Sequence, residues 1–169
     1  MDRKDKEAVL ASLYDEYFDK IASYAFARLG ERTAAEDIAG EVFLKALRSL
    51  DSYKERGVPM QAWLFKIAHN LIIDYRRKEY KREIVPIDSV QTMDNTDIQE
   101  MVEANFERKR VSKALGQLTM EQRQVIELRF FGGLTSEETG EVLNKKSGAV
   151  RQMQSSALKT LRNILGGQD

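Results

Sequence analysis

Six side chains near the C-terminus carry the chemistry that is easiest to name. Arg151, Gln152, Ser155, Ser156, Lys159 and Arg162 are cationic, amide or hydroxyl groups. Their spacing sets them off from an apolar stripe of Val150, Ala157, Leu161 and Ile164 that recurs at helical period. Side chains of these types pair with phosphates and with the edges of bases. Enzyme chemistry finds no comparable foothold. The single histidine, His69, falls mid-helix with no obvious partner, and the ten glycines are dispersed rather than gathered into a phosphate loop. His69 reads as a packing or surface residue.

Positioning such a face requires a helix held against a second one. Thr135 with Glu138 three residues on predicts a capping box and a short helix ending near Leu143. Asn144 and the two lysines after it read as a turn, because asparagine tolerates the left-handed conformation. Ser147 is then expected to cap a helix of about four turns. Short helix, tight turn and longer helix with a basic outer face form a helix-turn-helix pattern. The plainer alternative is an αα-hairpin with a solvated polar face.

The rest of the chain reads as helical. It has two prolines in 169 residues and long patterns of period 3.6, which point to an all-α fold. A first helix is expected from about Asp5 to Leu29, with Gly30 as its C-cap. A second is expected to open at a Thr33–Glu36 capping box, with Ile38, Val42 and Ala46 on one face and the acid pair Asp37 and Glu41 on a neighbouring one. Gly40 inside that helix costs about 1 kcal/mol against alanine, which suggests room for a close approach. A third helix should run from Pro59 to about Arg82. Its core face is Leu64, Ala68, Leu71, Ile72 and Tyr75; another face holds Trp63, Lys66, Ile67, Asn70, Asp74 and Arg77. An aromatic among cations, followed by the basic run Arg76, Arg77 and Lys78, is how single-stranded nucleic acid is commonly held; a partly buried core tryptophan is the simpler reading of Trp63. Helices are also expected from about Val102 to Leu115 and, behind a Thr119–Gln122 capping box, up to Gly132 and Gly133.

Charge is unevenly spread. The formal net charge is zero. Yet Ala62–Arg82 holds six basic residues against two acidic ones, Glu83–Asn105 holds six acids and no base, and Glu141–Leu165 holds five bases against one acid. Local patches bind phosphate whatever the sum. The acidic stretch, with Pro86 and no helical period, reads as a linker over residues 84–104 between domains at 1–83 and 105–169. With no cysteine and no apolar run near the roughly 18 residues a membrane span needs, a reducing cytoplasmic location is the default, with no membrane insertion and no cofactor expected.

Four segments then bear a resemblance. LYDEYFDKIASYAFARLG, AEDIAGEVFLKAL, AWLFKIAHNLIIDYRRK and LGQLTMEQRQVIELRFFGGLTSEETGEVL, in that order over nearly the whole chain, resemble bacterial sigma-70-type factors of the extracytoplasmic-function class. The resemblance implies two helical domains, region 2 and region 4, and no enzymatic activity. It implies binding to core RNA polymerase, recognition of the −35 and −10 promoter elements, and control by an anti-sigma factor. It places Asp37, Glu41 and Phe43 against the clamp coiled coil of the polymerase. Tyr53, Ile67 and Asn70 would form or flank a pocket for a flipped −10 base beside Trp63, with Lys66, Arg76, Arg77 and Lys78 on the backbone. Arg129, Arg151, Gln152, Ser155, Ser156 and Lys159 would face the −35 element. Gly40 departs from the family's usual glutamine, and Met153, Ser155, Ser156 and Leu158 stand where basic or aromatic residues are common. Thr139 replaces a usual apolar residue. Two other functions stay open on the residues alone: a stand-alone helix-turn-helix regulator and a pure protein-interaction module.

Overall fold

A computed structural model describes residues 2–54, 58–82, 107 and 109–166. Helix α1 spans Arg3–Leu29 and α2 spans Arg32–Arg48, followed by a 3-10 turn at Leu50–Ser52 and α3 at Met60–Arg82. Residues 109–116 form α4. Helix α5, Met120–Ile126, runs on into a π turn at Glu127–Phe131; α6 spans Ser136–Leu143 and α7 Ser147–Leu165. Among the described residues there is no strand. The linker expected over 84–104, and the start of the helix expected near Val102, lie outside the described residues.

Local signals account for most helix ends. Asp2 caps α1, its carboxylate accepting from the Asp5 amide at 2.8 Å, so the helix starts two residues before the expected point. Gly30 ends it at φ 73°. Both downstream capping boxes form: Thr119 with Gln122, and Thr135 with Glu138. Asn144 adopts φ 57° and ψ 50°, as a helix-ending αL residue should.

Two expected caps are absent. Thr33 lies inside α2, whose N-cap is Glu31 with no side-chain bond. Gly30 turns the chain in one left-handed step, so α2 restarts at once and leaves Thr33 no capping position. Ser147 is likewise the first residue of α7 rather than its cap; Lys146 stands there, without a side-chain bond. Close packing at Gly140 explains the shift. The Lys145 amide donates to the Gly140 carbonyl at 2.8 Å, and a Cβ on Gly140 would lie 2.3 Å from the Lys145 oxygen. The turn is pulled tight, and Lys146 becomes the extended residue.

Helix α1 packs on α2, and α3 lies against both. Tyr24, Phe65, Ile21, Leu50, Leu64 and Ile72 are wholly buried there. That core does not stop at the first three helices. Leu128, Leu134 and Val142 belong to the same apolar cluster, because α6 rests on α3 and the π turn rests on α1. A smaller cluster of Leu115, Leu118, Ile126 and Ala157 holds α4, α5 and α7 together.

The contact between the halves is also charged. The Glu127 carboxylate is fully buried, 3.7 Å from Arg28 Nε and 3.4 Å from Arg123 Nε. Burial pushes its pKa up, against the pull of Arg28 and Arg123. The Arg28 guanidinium donates to the Tyr24 hydroxyl at 2.9 Å, and that hydroxyl lies 3.1 Å from His69 Nδ1. The tyrosine proton therefore points at Nδ1 and assigns the neutral, Nε2-protonated ring. His69, expected to have no obvious partner, has two, the Tyr24 hydroxyl and the Arg28 guanidinium 3.3 Å from Nδ1.

Two outcomes follow. The Thr139 side chain is buried and its hydroxyl has no hydrogen-bond partner. Thr139→Val should therefore raise stability by about 1 kcal/mol, because an unmet buried hydroxyl costs about 1–3 kcal/mol. Chemical denaturation midpoints check it, and a lower midpoint would contradict the account. The second concerns pH. Burial, then the Arg28 charge, pushes the His69 pKa down to about 4. An unfolded histidine titrates near 6.5, so between these values the unfolded chain holds a proton the folded one refuses. The neutral ring's contribution is complete above about pH 6.5 and fades as pH falls toward 4. Glu127, with its raised pKa, works in the opposite sense, so wild type must be compared with His69→Gln. Wild type should lose thermal stability relative to that variant between about pH 7 and pH 5; a constant gap refutes it.

Candidate nucleic-acid interface

Helix α7 presents its polar side outward. Val150 and Ala157 are buried, while Arg151, Gln152, Ser155, Ser156, Lys159 and Arg162 are all exposed. Among the described residues Arg151 pairs with Glu137, 3.4 Å away, with both side chains more than half exposed. Such a pair is worth about 0–1 kcal/mol in water, so a base or phosphate can displace it. Arg129 is placed differently from the expected contact face. It is half-buried, donating to Gln154 Oε1 at 2.9 Å and to the Leu134 carbonyl. It braces the turn before α6 against α7 instead of pointing outward. Arg110 on α4 holds the far end of α7 through the Leu165 carbonyl at 2.9 Å, and Lys145 pairs with Glu121 at 3.2 Å.

Along α3 a second surface forms. Trp63 is half-buried, its ring centroid 5.1 Å from that of Tyr53. Tyr53 is buried, and its hydroxyl donates to the Val58 carbonyl at 2.8 Å. Lys6 of α1 fixes that loop from below, donating to the Leu50 and Tyr53 carbonyls at 3.2 and 2.9 Å. The two rings line a groove of about 340 Å³ with Ser52, Lys54, Lys66 and, from α6, Glu141. Asn70, Arg77 and Lys78 are exposed farther along α3. Two expected members stand apart. Ile67 is 9% exposed and packs in the core, one residue off the face that Lys66 and Asn70 share. Arg76 is exposed too, but its guanidinium is engaged by the first half's own backbone, donating to the Arg28 carbonyl.

The third surface is on α2. Asp37 and Glu41 are exposed, one turn apart. They edge an open groove of about 680 Å³ whose floor is Leu10, Tyr14, Phe43, Leu44 and Leu47. Within that floor Phe43 is itself buried, its ring centroid 5.0 Å from that of Tyr14 and 6.3 Å from that of Phe18, so it shapes the groove more than it meets solvent. Tyr14, Leu44 and Leu47 are 47%, 55% and 43% exposed. Sequence reasoning missed these three apolar residues as part of the surface. The available signal was that Leu44 and Leu47 fall off the Ile38–Val42–Ala46 stripe. A Cβ on Gly40 would meet nothing within 4 Å, so the room expected there exists.

Among the described residues no group of His, Asp and Glu could hold a metal ion, and no helix is long and apolar enough to cross a membrane. The structure thus presents three surfaces, two basic or polar and one apolar with an acidic edge.

Two family models match the chain in succession. A model described as Sigma-70 region 2 matches residues 13–82, and one described as Sigma-70, region 4 matches residues 114–163. The chain is 31% identical over 158 residues to the ECF RNA polymerase sigma factor BldN of Streptomyces coelicolor, covering 90% of this chain and 59% of that longer protein. It is 30% identical over 158 residues to the ECF RNA polymerase sigma factor SigL of Mycobacterium tuberculosis, covering 94% of this chain and 89% of SigL. The sigma factor RpoE from Bartonella quintana, solved with the anti-sigma factor NepR, shares the fold with a TM-score of 0.67 at 21% identity, over 94% of this chain and 98% of that one. With both sigma-70 regions in order on one chain and 30% identity across most of SigL, this chain belongs to the extracytoplasmic-function sigma factors of the sigma-70 family.

Proposed function

We propose that the chain is an alternative sigma factor that binds core RNA polymerase and directs it to promoters. The observation that carries this is the α2 groove. A stand-alone DNA-binding regulator has use for the α7 face but none for an apolar trough with Asp37 and Glu41 on its rim. Such a trough suits a helix that brings apolar residues to the floor and basic ones to the rim. Helix α7 then reads the −35 element through Arg151, Gln152, Ser155, Ser156 and Lys159, with Arg129 holding the turn that aims it. Helix α3 engages the opened −10 strand: Trp63 offers a ring face with the buried Tyr53 ring packed against it, Asn70 an amide that can both donate and accept, and Lys66, Arg77 and Lys78 the attraction for phosphates. Ile67 and Phe43 support these surfaces from within, and Arg76 ties α3 to the end of α1. The chain acts by binding, in the cytoplasm where the polymerase is, and the polymerase performs the chemistry. An anti-sigma factor is the fitting regulator, as NepR is for the RpoE it was solved with.

Titration with core polymerase, followed by run-off transcription, tests the whole reading; no binding at micromolar protein would overturn it. Asp37→Ala with Glu41→Ala should weaken polymerase binding by about tenfold or more, because two rim charges facing cations are lost together. The thermal midpoint should hold, since both carboxylates are exposed and off the core. Equal affinity would make the acid pair a solvated face. Arg151→Ala should cost about 1–3 kcal/mol on a −35 duplex and relax preference at one base pair. Unchanged selection from a library of −35 variants would remove Arg151 from the readout.

A further inference from the structure

One aromatic ring on α3 has no part in the surfaces above. Tyr80 is 79% exposed, the most open of the large apolar side chains among the described residues. Helical period sets it on the face that begins at Lys66 and continues through Asn70, Ile73 and Arg77 to Tyr80 and Lys81, all of them exposed. Glu79 falls on the opposite side of the helix, so the face near Tyr80 is cationic. These last turns are held in place, because the Arg76 guanidinium on the flank of the face donates to the Arg28 carbonyl at the end of α1. The ring adds nothing to either apolar core. An exposed ring among cations is a common contact for nucleic acid.

We propose that Tyr80, with Lys81 beside it, grips the backbone of double-stranded DNA about four base pairs from the base that Asn70 reads, on the side toward the −35 element. The proposal rests on the assignment of α3 to the opened −10 strand and extends it along the helix. Distance decides between strand and duplex. From Asn70 to Tyr80 is ten residues, which at about 1.5 Å each is about 15 Å. Stacked base pairs rise about 3.4 Å each, so the span is about four of them. Helix α3 is the last element of the first half, and the helices after it belong to the half assigned to the −35 element. The duplex leading to −35 therefore lies at the Tyr80 end. Bases there are paired and stacked, with no face free for a ring. A duplex offers phosphate and sugar outward, and a phenol serves both: the hydroxyl donates to a phosphate oxygen while the ring lies on a deoxyribose. Lys81 adds a cation to the same phosphates. Such a contact carries no sequence information. It fixes where α3 stands along the DNA, and so which base reaches Asn70, which makes Tyr80 a positioning residue.

Holoenzyme made from core polymerase and the full chain is titrated with two fork DNAs cut from a promoter it transcribes. Both forks keep the same single-stranded −10 arm, and neither includes the −35 element. In the long fork the duplex continues about ten base pairs upstream of the opened base; in the short fork it stops after about two, before Tyr80 can reach it. Tyr80→Ala should bind the long fork about fivefold more weakly and the short fork as wild type does. Tyr80→Phe should lose only the share of the hydroxyl, about twofold, again on the long fork alone. Lys81→Ala should lower the slope of log affinity against log salt by about one on the long fork and leave it unchanged on the short one. Both side chains are exposed, so the variants should fold, and circular dichroism checks it. Wild-type affinity of folded Tyr80→Ala for the long fork overturns the proposal. An equal loss on both forks overturns it too, by putting the ring on the strand. Asn70→Ala tests the reading beneath it and should weaken both forks alike. If Asn70→Ala weakens neither fork while Tyr80→Ala still weakens the long one, Asn70 leaves the strand site and the duplex contact of Tyr80 stands.

Discussion

A carboxylate with no water around it sets the terms for the rest of this molecule. Glu127 sits where the two halves meet, and leaving one such charge unpaired in that position costs about 3–5 kcal/mol. Arg28 and Arg123 must therefore stay within reach, which fixes α1 relative to α5. Arg28 in turn aligns Tyr24, and Tyr24 aligns His69, so one buried acid orders side chains on three helices. The π turn is part of the same arrangement. The extra residue it accommodates brings Glu127 and Leu128 inward together and lets Gly132 bond back to the Glu127 carbonyl at 3.0 Å.

What could be read in the sequence divides along the range of the interactions. Thr119 with Gln122, Thr135 with Glu138, Gly30 and Asn144 act within four residues, and each does what its spacing indicates. Thr33 and Ser147 carry the same local signal and do not cap, because a one-residue turn before α2 and the tight approach at Gly140 decide where those helices start. The polar face of α7 and the acid pair on α2 were legible because exposure follows helical period. The hydrogen bonds that tie down Arg76 and Arg129, and the burial of Phe43 and Ile67, were not. Each depends on a partner far along the chain: Arg28 for Arg76, Gln154 for Arg129, Tyr14 for Phe43.

A family resemblance transfers positions more reliably than it transfers contacts. Arg129, Phe43 and Ile67 stand at family positions, yet their side chains support a surface from behind. Substituting them would disturb binding through shape, and a loss of affinity alone would mistake them for contacts. The zero net charge misleads in a similar way. Acidic residues edge the α2 groove while basic ones face outward on α3 and α7, so surfaces of opposite character cancel in the sum.

Gly40 shows where this fold holds stability in reserve. It lies inside α2, in ordinary helical conformation, with empty space where a methyl group would go. Alanine there would gain about 1 kcal/mol simply by restricting the unfolded backbone. That gain would be made on the floor of the trough between Asp37 and Glu41, narrowing it by one methyl group. Thermal selection on the isolated chain and selection for transcription in the cell would therefore push this one position in opposite directions, and a variant library sorted both ways should separate there.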